Sequence, residues 1–265
     1  MKKAKLTPKI TDSIYILPNL LTTGNLFFGY YSVLSSIKGD FVSAALCILL
    51  AAVFDILDGS VARLTKASSS FGIQYDSLCD LISFGIAPVL LMYQYSLFSL
   101  GRVAFAVCFI YLACGALRLA RFNVLTSEKS LHHFIGLPIP IPACLLACFV
   151  AMVENLKEHE GSDMMWGLSS LHSFLTSQNV LQYLFVILAL FLSFLMVSNI
   201  LYQSHKSLNI KGISSFRLTV VVVLLLSLLL YRPALIGFLF FFIYVLSAPI
   251  EYLLGWREAW DEDDI

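Results

Sequence analysis

Apolar residues in this chain come in stretches of about twenty, parted by short polar breaks, and the rhythm runs from one end to the other. A helix needs about 20 such residues to cross the hydrocarbon core of a bilayer. Eight segments qualify, at 18–37, 41–62, 74–97, 101–121, 137–154, 179–202, 214–231 and 233–254. The pattern predicts an all-α, polytopic membrane protein with about eight transmembrane helices. Pro138, Pro140 and Pro142 mark the start of the fifth, where a missing N–H does least harm. A short basic segment (1–17) precedes the spans and an acidic tail (256–265) follows them, so residues 1–265 read as a single integral membrane domain.

Composition agrees. The chain is 59% hydrophobic and only 13% charged, which excludes an ordinary soluble domain. No basic patch points to nucleic acid, and the six cysteines, all in apolar stretches without a CxxC pair, read as small buried hydrophobes. The zero net charge hides an asymmetry. With the N-terminus in the cytoplasm, thirteen Lys and Arg fall on the cytoplasmic side and only Lys38, Arg102, Lys157 and Arg232 on the other. The positive-inside rule then puts both termini in the cytoplasm. The compact size and Lys-rich ends suggest a prokaryotic inner membrane.

Against this apolar background four carboxylates stand out, in the run Asp55-Ile56-Leu57-Asp58-Gly59 … Ala62-Arg63 … Gly72 … Asp76 … Asp80. A carboxylate at bilayer depth costs roughly 2.5–3.5 kcal/mol, so four in one short stretch need partners. Divalent cations suit several hard anionic oxygens best. Asp55 and Asp58 are i, i+3, and Asp76 and Asp80 are i, i+4, so each pair projects from one helix face. Two such helices packed together would bring all four acids to one cytoplasmic pocket.

The spacing D-x2-D-G-x2-A-R-x8-G-x3-D-x3-D resembles the signature of the CDP-alcohol phosphatidyltransferase family. That resemblance implies the family's fold, a CDP-linked lipid donor and two divalent ions, Mg²⁺ or Mn²⁺. By resemblance Asp55 and Asp76 bridge the metals, Asp58 completes one shell, and Asp80 binds a metal while serving as general base. Gly59 and Ala62 lack bulk, so the nucleotide and diphosphate could approach the backbone closely. Arg63 offers several donors to phosphate oxygens, Ser69 is a further donor nearby, and Gly72 is read as relaxing the loop that leads into the Asp76 helix.

Further segments resemble the phosphatidylserine synthase branch of that family: Leu17-Pro18-Asn19-Leu20-Leu21-Thr22-Thr23-Gly24-Asn25, Ala116-Leu117-Arg118-Leu119-Ala120-Arg121-Phe122-Asn123, Phe134-Ile135-Gly136-Leu137-Pro138-Ile139-Pro140 and Leu195-Met196-Val197-Ser198-Asn199-Ile200. They imply transfer of a phosphatidyl group from CDP-diacylglycerol to L-serine, releasing CMP, in a homodimer with a lateral opening for the lipid. Arg118 and Arg121, i, i+3 at the end of the fourth span, could bind the acceptor carboxylate or a phosphate, or anchor the helix among head groups. Asn19, Thr22 and Asn25 form a polar stripe on the first span that could touch the diphosphate or the acceptor, or bond to another helix. At Leu201-Tyr202-Gln203 the chain departs from the branch pattern, at an expected helix end. Two alternatives remain: the same chemistry on glycerol 3-phosphate or inositol phosphate, which calls for a denser basic pocket, and an ion-coupled transporter. A transporter would spread its site over both halves of the chain, whereas these acids cluster in residues 55–80.

Overall fold

A computed structural model describes residues 16–65, 69–128, 134–158, 177–202 and 232–254. The chain runs back and forth as long helices: α1 (Ile16–Lys38), α2 (Phe41–Thr65), α3 (Ser70–Leu100), α4 (Arg102–Glu128), α5 (Pro140–Glu158), α6 (Gln178–Val197) and α7 (Pro233–Leu253). Six of them, α2 to α7, are long and apolar enough to cross a membrane. The protein is therefore a multi-pass membrane protein. α1 has the length but is more polar, with Thr22 and Asn25 on its buried face. The expected span 214–231, the basic segment before residue 16 and the acidic tail lie outside the described residues.

Turn chemistry sets the helix ends. Gly39 (φ 79°) reverses the chain after α1, and Asp40 Oδ1 accepts the Ser43 N–H at 3.1 Å to cap α2. Gly101 (φ 53°) separates α3 from α4, and Pro233 stands in the first turn of α7.

Several boundaries differ from the hydropathy reading, and three of them have a local cause. α3 begins at Ser70, not 74, because Ser69 accepts the Gly72 N–H at 2.9 Å and caps the helix one turn earlier. α4 runs on to Glu128, since hydropathy ends a span where polar residues begin while the helix continues into them. The sixth span ends at Val197, not 202. Ser198 is extended (ψ 157°), and Leu201–Tyr202 pair antiparallel with Phe134–Ile135 in a two-residue ladder. Gly136 N–H bonds the Ile200 carbonyl and Leu137 N–H the Leu195 carbonyl. Gly136 (φ 72°) has no substitute here, because a Cβ would fall 2.5 Å from the Met196 carbonyl oxygen.

The core lies where α2, α3, α5 and α6 meet, around Ile48, Phe84, Leu91, Leu145 and Phe185, all fully buried. α1 packs along α2 through small residues; a Cβ on Gly24 would overlap the Phe54 ring. The outward faces are apolar, as at Phe105, Phe109 and Phe240, which suits hydrocarbon rather than water. α3 is not uniform: π-helical turns at Leu81–Ile86 and Tyr93–Leu97 interrupt it, the first directly after Asp80.

Candidate active site

The last turns of α2 and the first turns of α3 supply the acids. Asp55, Asp76 and Asp80 each offer an oxygen within 4.8 Å of the others, the one such group among the described residues that could hold a metal ion. Three carboxylates that close repel one another, and a hard divalent cation is the partner their chemistry fits. Asp58 stands one turn along α2, buried beside this group instead of within it. The Thr22 hydroxyl donates to the Pro18 carbonyl at 3.1 Å, and Thr22 and Asp58 line the same cavity. Asp58 Oδ2 and Asp76 Oδ1 are buried without a hydrogen-bond partner. Such atoms are costly to leave unmet, and both residues line the same opening.

That opening is a cavity of about 350 Å³ lined by α1, α2, α3 and α4. α2 contributes Asp58, Gly59, Ala62 and Arg63, one stripe of its last two turns. α3 and its cap contribute Ser69, Gly72, Ile73 and Asp76, and α1 contributes Pro18, Asn19 and Thr22. A Cβ on Gly59 would meet nothing within 4 Å, so this glycine keeps the cavity wall low. Gly72 acts differently from the expectation. It lies inside the first turn of α3 and relaxes no loop; a Cβ on it would sit 3.2 Å from Ser69 Oγ and 3.5 Å from Asn19 Oδ1, crowding the cap and the cavity together.

Arg118 on α4 is 92% buried, spread over the Phe122 ring at 5.2 Å, and lies within electrostatic reach of Asp80 and Asp55. Its Nε has no partner. Arg121, one turn on and half-buried, is not among the cavity-lining side chains. Asn25 is absent from the cavity wall, as are Asp55, Asp80 and Arg118. It is fully buried and its amide donates to Asp80 Oδ1 at 2.9 Å, so the structure places it against the acid.

The sequence reading missed Phe122, Pro18 and Ile73, which complete the wall. Phe122 stands four residues after Arg118, the helical spacing that would have flagged it. Tyr244 of α7, within electrostatic reach of Arg118, carried no signal in the sequence.

Comparison with known proteins agrees with this geometry. A CDP-diacylglycerol–serine O-phosphatidyltransferase of Helicobacter pylori is 35% identical over 242 residues, 91% of this chain and 93% of that protein. An archaetidylserine synthase of Methanothermobacter thermautotrophicus is 44% identical over 143 residues, 53% of this chain and 60% of that protein. A Bacillus subtilis CDP-diacylglycerol–serine O-phosphatidyltransferase is 35% identical over 130 residues, 49% of this chain and 72% of that protein. Residues 15–195, which hold every side chain of the acid cluster and its cavity, match the CDP-alcohol phosphatidyltransferase family, and the chain belongs to it.

Proposed function

We propose that this protein transfers the phosphatidyl group of CDP-diacylglycerol to the hydroxyl of L-serine, yielding phosphatidylserine and CMP. The observation that carries the reading is the meeting of three carboxylates from two helices within 4.8 Å, next to a cavity floored by glycine and edged by Arg63. The names of the Helicobacter and Bacillus relatives supply the serine.

Asp55, Asp76 and Asp80 would hold divalent ions, two Mg²⁺ or Mn²⁺, with Asp58 one turn along α2 completing the set. When bound, such ions offset the charge of the donor's diphosphate and of the departing CMP. The chain's own residues do the rest. Gly59 and Ala62 let the nucleotide lie close to the α2 backbone, and Arg63, Ser69, Asn19 and Thr22 offer donors to phosphate and sugar oxygens. Asp80 takes the proton of the serine hydroxyl as that oxygen attacks the lipid-bearing phosphorus in line. One P–O bond forms to serine while the P–O bond to CMP breaks. Arg118, buried behind the cavity wall and within electrostatic reach of Asp80, is the cation assigned to the serine carboxylate.

We place the site and both termini on the cytoplasmic side, on the thirteen-to-four division of basic residues, and the compact size and Lys-rich ends favour a prokaryotic inner membrane. The family resemblance carries the further expectation that the chain works in pairs. The test is CMP release from purified protein given CDP-diacylglycerol with serine, glycerol 3-phosphate or inositol phosphate in turn. Release that depends on serine alone is expected; release with either phosphorylated acceptor and none with serine would overturn the reading. A CDP-archaeol arm belongs in the same assay, since the Methanothermobacter relative's name pairs serine with an ether lipid.

A further inference from the structure

Asp80 is gripped from the neighbouring helix. Asn25 on α1, fully buried, donates Nδ2–H to Asp80 Oδ1 at 2.9 Å. The contact is returned: Ser83, three residues beyond Asp80 and equally buried, donates its hydroxyl to the Asn25 carbonyl oxygen at 3.0 Å. The helices all but touch here, for a Cβ on Gly29, one turn along α1, would fall 2.7 Å from the Ser83 Cα. Each helix thus lends one side chain to the other, and the pair fixes the height of Asp80 against α1.

A carboxylate in that position has a geometric problem. It faces Asp55 and Asp76 across less than 5 Å, and repulsion favours any rotation that turns it away. A lysine or arginine partner would hold it but would also compete with a cation for its charge. An amide N–H anchors one oxygen while leaving the negative charge in place. From this we infer that Asn25 is the positioning residue for Asp80, fixing its carboxylate in the rotation that presents it to a divalent ion, with Ser83 holding Asn25 in turn. The inference rests on the metal reading proposed above.

A plain interhelical hydrogen bond would make a different prediction, so the test separates stability from metal affinity. Purified full-length protein in detergent is titrated with Mn²⁺ in the absence of substrates, and free Mn²⁺ is followed by electron paramagnetic resonance. Thermal unfolding and turnover are measured on the same samples. Asn25→Leu keeps the side-chain volume and removes the donor. Its Mn²⁺ affinity is expected to fall about 10–100-fold, with a matching fall in kcat and the KM for serine within about twofold. Ser83→Ala, the milder change, is expected to weaken Mn²⁺ by about fivefold, the worth of one ordinary hydrogen bond, and it decides the matter if Asn25→Leu does not fold. Parent-like Mn²⁺ affinity in the folded variant overturns the inference, whatever its melting temperature. So does a defect confined to KM, which would make Asn25 a substrate contact. Parent protein that binds no Mn²⁺ would sink the metal reading itself, whereas a binding parent with an equally binding variant sinks only the role of Asn25.

Discussion

α3 carries a polar cluster at each end, and the two are built on opposite plans. At the far end Tyr95 donates to Glu154 Oε1 at 2.7 Å, and Lys157 Nζ donates to both, at 2.9 and 2.8 Å. The ammonium also sits 4.5 Å from the Tyr95 ring centroid, and Phe41 and Phe185 meet that ring edge-on. Each of these three groups has its partners within the protein. At the near end Asp58 Oδ2, Asp76 Oδ1, Asn25 Oδ1 and Arg118 Nε have none, four of the six buried polar atoms left so among the described residues. Closed polar clusters hold helices together; one left open is a place for something else to bind. The difference lies in satisfaction and not in polarity, since both clusters mix acids, a base and hydroxyl or amide groups.

Experiments can break this contrast. Stripping divalent ions with a chelator should abolish CMP release and leave the helical circular dichroism signal in place, with Mg²⁺ or Mn²⁺ restoring turnover; activity that survives full depletion would remove the reason for the open cluster. Asp80→Asn should lower kcat by about 10²–10⁴-fold, the usual worth of a general base, while equilibrium binding of CDP-diacylglycerol stays close to the parent value. Gly59→Leu adds bulk where a Cβ now meets open space. It should raise the KM for the CDP-lipid about tenfold or more with little change in melting temperature, because nothing folded is displaced. The smallest effect belongs to the closed cluster. Tyr95→Phe should cost about 1 kcal/mol of stability, one hydrogen bond's net share, and leave the specific activity unchanged. A large loss of activity there would mean the far end is no mere brace.

How much of this could be read beforehand differs residue by residue. The acid pairs on α2 and α3 were legible because i, i+3 and i, i+4 spacings fix a helix face whatever the tertiary fold. Gly59 and Ala62 followed from the same periodicity, while Arg63, which joins them in the cavity stripe, was marked by the family signature. The target of Asn25 was not legible: its partner is 55 residues away, and a polar residue inside an apolar helix carries no address. The ladder of Phe134–Ile135 with Leu201–Tyr202 was hidden for another reason, since two residues make no alternation, and the apolar run through α6 reads as helix to its end. The π turns of α3 also left no trace in hydropathy, which registers apolar length and is blind to the backbone bonding within it.

The length of α3 has a consequence of its own. Its 31 residues reach roughly 45 Å at about 1.5 Å per residue, against a hydrocarbon thickness of about 30 Å, and even an ordinary tilt of about 20° absorbs little of the excess. The terminus that begins Ser70-Phe71-Gly72-Ile73-Gln74-Tyr75-Asp76 is the more polar one, so it is the end that belongs among the lipid phosphates. A donor lipid can then present its diphosphate to the acids without rising out of its leaflet or sinking into it. Only the small water-soluble reactant has to travel, and the product is born at the depth where it will stay.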